Sequence, residues 1–512
     1  MTLLIRNVRI LGGEKEFPDP IDVFVNGDTI SAIGNFANKK ADTILDGQGG
    51  YLTPGFIDID STSDHYLTLF DDRGQEDFIR QGVTTIIGGM CGASLAPLAY
   101  GTLESIQKWG DPSRVNVNWH TMAEFLSVLD ARPLAVNFGT LAGHATIRRA
   151  LVGEALRELT KNEMNVFARM LEEAMKQGAF GLSTGLSYVH ARATTDLELN
   201  FFTDVVARFG GVYATHLRDG AAGVVRSIEE TVSLAKERGV KTLISHFMPM
   251  LGAGKEYEAA LAEIESLPAN MEFRFDAHPF ADSLLPIYTF LPEWAQNGGI
   301  GVMVANVNDQ WLLTRIKKDM SELDEDHFII AQAPGNEFLV GKTLRELGVT
   351  YGTGDARDAV LKLMATTKMK CSVLYRNIDE VLIAKAIGSP RSLVASAAPS
   401  WSRSGPAGKK RRFRTERTTS TFTKFLGLAA GGLMPLDMAV RKITTEPAAL
   451  FGLKGRGVIR EGNIADLACF KVDGQAGDPV EVLFTVVNGI TVRAGDEFKD
   501  VFPGKVLRHN AS

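Results

Sequence analysis

Eight short β-rich runs recur along the middle of the chain, and helical periodicity fills several of the gaps between them. The runs are PGFIDID (54–60), GVTTIIGG (82–89), LAVNFG (134–139), AFGLSTG (179–185), GVYATH (211–216), VKTLISH (240–246), MEFRFDAH (271–278) and SLVASAA (392–398). Segments such as TKNEMNVFARMLEEAMKQG (160–178) and VVRSIEETVSLAKERG (224–239) place apolar residues three and four apart, as an amphipathic helix requires. Strands that alternate with helices build a parallel sheet with the helices outside it. Eight such units fit an α/β fold of the (β/α)8 TIM-like barrel type, whose sites form at the C-terminal ends of the strands. The interval of about 285–370 is too long for a loop and holds apolar segments of its own, so an inserted subdomain is expected there.

The two ends have a different texture. LLIRNVRIL, IDVFVNGDTISAIG and TILDGQGGYLTP near the N-terminus, and GVIREGNIADLACFKVD and PVEVLFTVVNGITVRAGD near the C-terminus, read as strands and turns. Asn26-Gly27 and Asn488-Gly489 are hairpin signals. Residues 1–52 and 456–512 are therefore expected to form one small β-sandwich domain around a barrel of 53–455.

Composition narrows the functional classes. Of 512 residues, 45% are hydrophobic and 23% charged, an ordinary globular balance. A net charge of −6 gives no basis for nucleic-acid binding. The opening MTLLIRNVRIL carries Arg6 and Arg9 within its apolar stretch, so it reads as a strand rather than a signal peptide, and no apolar run reaches 18 residues. Three scattered cysteines, Cys91, Cys371 and Cys469, argue against a disulfide framework. The expectation is a cytoplasmic protein with a small-molecule partner and no membrane.

Strand ends are where a barrel places its chemistry. Cys91 follows the second run, His216 closes the fifth and His246 closes the sixth. A thiolate and two imidazoles make a reasonable zinc set, since catalytic zinc commonly takes three protein ligands and keeps a position for water. Each also has a plainer reading: a cysteine after an apolar strand is usually buried packing, and a strand-end histidine often bonds backbone. His65 and His190 read as solvated loop histidines, and Asp276, which closes a strand, either as a group that orients a metal-bound group or as a helix cap. The run GKKRRFRTER (408–417) reads either as a solvated loop or as a basic lid that attracts an anionic substrate.

The order of PGFID, GVTTIIGGMCGAS, LAGHATIR, GAFGLSTGLSY, YATHLRD, LISH, GKTLREL and KITTEPAALFGLKGRGVIREGNIADLACF resembles the N-acyl-D-amino-acid deacylases (D-aminoacylases) of the amidohydrolase superfamily, over about residues 3–495. The resemblance implies a metal-bearing barrel, a β-domain made from both ends, and an insertion near 285–345. It implies that Cys91, His216 and His246 match the tight zinc site and that one Zn2+ binds there. His144, within LAGHATIR, matches a family histidine and is read as structural at a helix start.

The departures define the expectations for chemistry. The family's first strand ends in His-x-His, whereas Asp60 and Thr62 stand here, with Asp64 kept. Ala397 stands where the resemblance places the catalytic aspartate, and Met248 where it places a lysine for the substrate carboxylate. His278 replaces a tyrosine, and Arg417 looks like a surviving family arginine. Asp60 is thus the candidate base, and Arg417 and His278 are the candidate substrate-binding residues. The expected activity is hydrolysis of an amide or related C–N bond in a small, carboxylate-bearing N-acylated molecule. The alternatives are a lyase, cyclase or isomerase on the same scaffold, or an inactive binding protein derived from it.

Overall fold

The computed structural model describes residues 1–15, 17–100, 103–401 and 413–509. All eight runs contain strands: β1 (Phe56–Asp58), β2 (Val83–Gly88), β3 (Asn137–Thr140, continued by Ala142–Gly143), β4 (Gly181–Gly185), β5 (Val212–His216), β6 (Lys241–Ile244), β7 (Phe273–Ala277) and β8 (Ser392–Val394). They pair in parallel as two arcs, β1-β2-β3 and, from the continuation of β3, through β4, β5, β6 and β7 to β8. Each strand is short and almost wholly buried, as a sheet covered on both faces must be.

The seam between β8 and β1 is closed by the Asp58 side chain and one backbone bond rather than by a ladder. Asp58 accepts the Ser396 amide at 3.1 Å and the Ser396 hydroxyl, and the Thr62 amide donates to the Ala398 carbonyl at 3.2 Å. This is why β8 stops at Val394, short of the run expected from the sequence: residues 395–398 bend toward Asp58, and Ala397 takes a left-handed φ of 45°. Burial raises the Asp58 carboxyl to about 6 despite these donors.

The surrounding helices bury one stripe each. Lys161–Lys176 starts in a capping box between Thr160 and Glu163 and buries Phe167, Leu171, Ala174 and Met175. Val224–Arg238 buries Val224, Ile228, Val232 and Ala235 and ends at Gly239 in the left-handed region that a C-terminal cap needs. Both chain ends meet in one nine-stranded sheet wrapped on its own core of Leu3, Ile5, Val25, Leu467, Phe484 and Val486. Within it, the antiparallel strands Glu481–Val487 and Ile490–Ala494 are joined by Asn488-Gly489, both at positive φ. A separate antiparallel sheet of Asp282–Pro286, Ser372–Arg376 and Phe328–Gln332 packs its own core, including Ile316, Phe328, Val360 and Val373. Among the described residues, no helix is long and apolar enough to cross a membrane.

His144, at the start of its helix, donates to Glu198 at 2.8 Å, and Arg148 donates to the same oxygen at 3.2 Å. Burial opposes ionisation of Glu198, but the His144 bond and the charges of His144 and Arg148 outweigh it and hold the carboxyl below its usual range. Glu198→Gln leaves the buried Arg148 charge unpaired, so a loss of about 3–5 kcal/mol is expected in urea denaturation at pH 7. A depressed carboxyl stabilises above its unfolded value, so the difference between wild type and variant should shrink as pH falls below 4.5. A difference that stays constant down to acid pH would remove Glu198 from this role.

Candidate active site

The C-terminal rim of the barrel brings Cys91, His216 and His246 together. One ligand atom from each lies within 4.8 Å of the others, and Cys91 Sγ is 3.0 Å from His246 Nε2. Cys91 follows β2 with φ at 53°, and His246 follows β6 with φ at 51°. Neither residue prefers this left-handed backbone, and such strain persists where the surroundings enforce it. For Cys91 the enforcing contacts are close: Asp64 Oδ2 accepts the Gly89 amide at 2.6 Å, and a Cβ on Gly185 would lie 2.4 Å from the Cys91 carbonyl oxygen. The retained Asp64 therefore shapes the loop that presents the thiol.

Burial decides the protonation of these three groups. Burial, and then the Asp60 charge, push the Cys91 thiol up. Burial and Lys108 pull His216 down to about 4, and burial with His216 pulls His246 well below the usual histidine value. Without a cation burial favours the neutral form of each, and among the described residues His216 Nδ1 has no hydrogen-bond partner. Tetrahedral zinc places its sulfur and nitrogen ligands at about 2.0–2.3 Å from the ion. The mutual spacing of the three donors fits such a centre, and a bound cation would reverse the bias against the thiolate.

Asp60 stands on the other side of His246. Its Oδ2 is 3.2 Å from His246 Nδ1, without hydrogen-bond geometry, and it groups with His246 and Asp276 rather than with Cys91. The carboxyl is fully buried, and among the described residues its polar neighbours are His246 Nδ1 and the Asp276 carboxyl. Burial, then the charges of Asp276 and Asp58, raise it well above the usual carboxylate value. Burial likewise raises Asp276 to about 7, and Asp276 Oδ1 accepts the His246 amide at 3.0 Å. Asp276 is thus a buried member of the site and not a helix cap.

Arg417 is the counter-ion on this floor. It is buried, and its Nε, Nη1 and Nη2 donate to the carbonyls of Ser396, Asp282 and Ala397. His278 is buried beside it, with its amide 3.5 Å from Met248 Sδ and its Nδ1 unpartnered. Burial and the Arg417 charge hold its imidazole neutral. Both residues line a cleft of about 620 Å³ together with Thr62, Tyr66, Trp109 and Met248.

The two loop histidines differ from the sequence expectation. His65 is buried, stacked on Trp109 at 4.3 Å, with its Nε2 3.1 Å from the Ala93 carbonyl. His190 is buried as well. The loops that carry them fold down over the barrel mouth, which periodicity cannot reveal. Trp109 and Tyr188, the latter 5.1 Å from the His216 ring, also escaped sequence reasoning because they lie in irregular segments. Of the basic run, Lys409, Lys410, Arg411 and Arg412 lie outside the described residues, whereas Arg414 packs against Asp77 and donates to the Trp401 carbonyl.

No family model matches the chain. It is 30% identical to a D-aminoacylase from Alcaligenes xylosoxydans xylosoxydans over 537 residues, covering 100% of this chain and 98% of the relative. It is 28% identical over 504 residues to an N-acyl-D-aspartate deacylase of the same organism, covering 95% and 91%. Among solved structures, a D-aminoacylase described by the role of its binuclear metal centre, with one-metal activation and second-metal attenuation, matches at TM-score 0.79 and 27% identity across 99% of both chains.

Proposed function

The chain belongs to the D-aminoacylase family of the amidohydrolase superfamily, and from that premise we propose that it hydrolyses the amide or related C–N bond of a small, carboxylate-bearing N-acylated substrate with one zinc ion. The convergence of Cys91, His216 and His246 at the floor of the cleft supports this reading more than any other observation. Zinc held by these three residues would supply Lewis acidity and a water acidified to near pH 7.

The chain's own residues do the rest. Asp60 accepts the proton that the family's eighth-strand aspartate would accept. Asp60 and its neighbour Asp276 are both raised, since two buried carboxyls side by side resist double ionisation. His278 presents its unpartnered Nδ1 to the substrate, and the Arg417 charge favours an anion in the cleft. Asp276 fixes the backbone of His246.

One observation favours a second reading. Ala397 turns a methyl group into the cleft where the family has its catalytic carboxylate. A pocket without that base suits a lyase, cyclase or isomerase, or a protein that only binds. The test is to strip the purified chain with a chelator, restore zinc, and assay acetate release from a panel of N-acetyl-D-amino acids. Release that is lost on chelation and regained with zinc is expected. A zinc-replete protein that binds these acids without cleaving them would overturn the hydrolase in favour of the second reading.

A further inference from the structure

Burial divides the cleft into a floor and a rim. Cys91, Met248, His278 and Arg417 on the floor are buried, whereas Asp219 and Gly220 are exposed and the Glu293 side chain is 76% exposed. A substrate carboxylate needs a cation with free N–H groups, and the floor is poor in them. Met248 is apolar, and three of the five N–H groups of Arg417 already donate to backbone carbonyls, which leaves one on each Nη. Held by three backbone carbonyls and buried, the guanidinium has little freedom to turn toward a substrate.

Two arginines stand nearer the rim. Arg218 is locked: Nε and Nη2 bond Glu230 at 3.2 and 2.7 Å, and the carbonyls of Arg192 and Thr194 take further bonds. Arg192 differs. Its Nη2 donates to Gln296 at 3.0 Å, while Nη1, a buried atom of a part-exposed side chain, has no hydrogen-bond partner among the described residues and lies 3.4 Å from the exposed Glu293 carboxylate. An ion pair with so exposed a partner is weak and readily exchanged for another carboxylate. The acidic rim residue Asp219 is not paired with Arg192: its Oδ1 accepts the Ala221 amide at 2.7 Å.

Resting on the hydrolase reading above, we propose that Arg192 is a specificity-determining residue that binds the substrate carboxylate at the rim, selecting amides whose carboxylate lies several bonds beyond the carbon next to the scissile nitrogen. With the scissile amide on the metal-binding floor, the single-carbon spacer of an α-amino acid keeps its carboxylate among Met248, His278 and the occupied Arg417. A longer spacer is needed for it to reach Arg192, which lines the same cleft.

The probes are N-acetyl-5-aminopentanoate, N-acetyl-D-alanine and the primary carboxamide of each, titrated calorimetrically into the zinc-loaded full chain. The long acid should bind about 10- to 100-fold tighter than its carboxamide, as a charge-assisted bond implies. Arg192→Met should erase that ratio and Arg192→Lys should keep part of it, while N-acetyl-D-alanine shows no Arg192-dependent preference. A ratio unchanged in Arg192→Met, absence of the acid preference in wild type, or an Arg192-dependent preference for the α-acid would overturn the proposal. Arg192-dependent binding of the long acid without acetate release would sink the hydrolase reading alone. Acetate release indifferent to Arg192 would sink this subsite alone.

Discussion

Asp60→Asn is expected to lower kcat for amide hydrolysis by about 10²–10⁴-fold, the usual worth of general acid–base help, with zinc content unchanged. Asparagine keeps the shape of the side chain and removes the anionic acceptor. The substitution also relieves crowding, since Asp60 sits buried beside the like charges of Asp276 and Asp58. The variant should therefore be at least as resistant to denaturation as wild type while it loses activity. That opposite movement separates a working base from a structural carboxylate. Unchanged turnover would assign the proton to another group and leave Asp60 as a neighbour of His246 only.

Cys91→Ser is expected to reduce bound zinc from about one ion per chain to a small fraction and to abolish hydrolysis. A serine hydroxyl fills nearly the same space, but it does not give up its proton to a metal as a thiol does. Zinc bound to the folded chain stabilises it by about 4 kcal/mol when its free concentration is a thousand times the dissociation constant. Wild type should accordingly melt at a higher temperature with zinc than without, and Cys91→Ser should melt at one temperature in both. The left-handed backbone at Cys91 persists in the serine variant, so backbone strain does not confound the comparison. A zinc-dependent shift retained in Cys91→Ser would place the ion elsewhere.

Much of this site was legible in the sequence, and for identifiable reasons. The eight strands announce themselves because each is a short apolar run bounded by glycine or a polar turn. Cys91, His216 and His246 stand out because strand ends are the places where a barrel gathers side chains. What escaped depends on contacts between distant positions. Asp58 closes the barrel by bonding Ser396, 338 residues away, and nothing local marks either residue. Asp276 reads equally as a group that orients a metal ligand or as a helix cap until β7 is placed beside His246. His65 and His190 read as surface residues because their loops are polar in sequence, yet Trp109 and the barrel mouth bury them. Arg192 carries no signal at all. Its significance arises only because Arg218 and Arg417 are already occupied.

X-ray data collected on either side of the zinc absorption edge, from crystals of protein purified without added metal, test the centre of this account most directly. A single anomalous peak bonded to Cys91 Sγ and to one ring nitrogen each of His216 and His246 is the expected result. Crystals that contain zinc elsewhere, or that show Cys91 and His246 joined only by their own hydrogen bond after zinc is supplied, would contradict it.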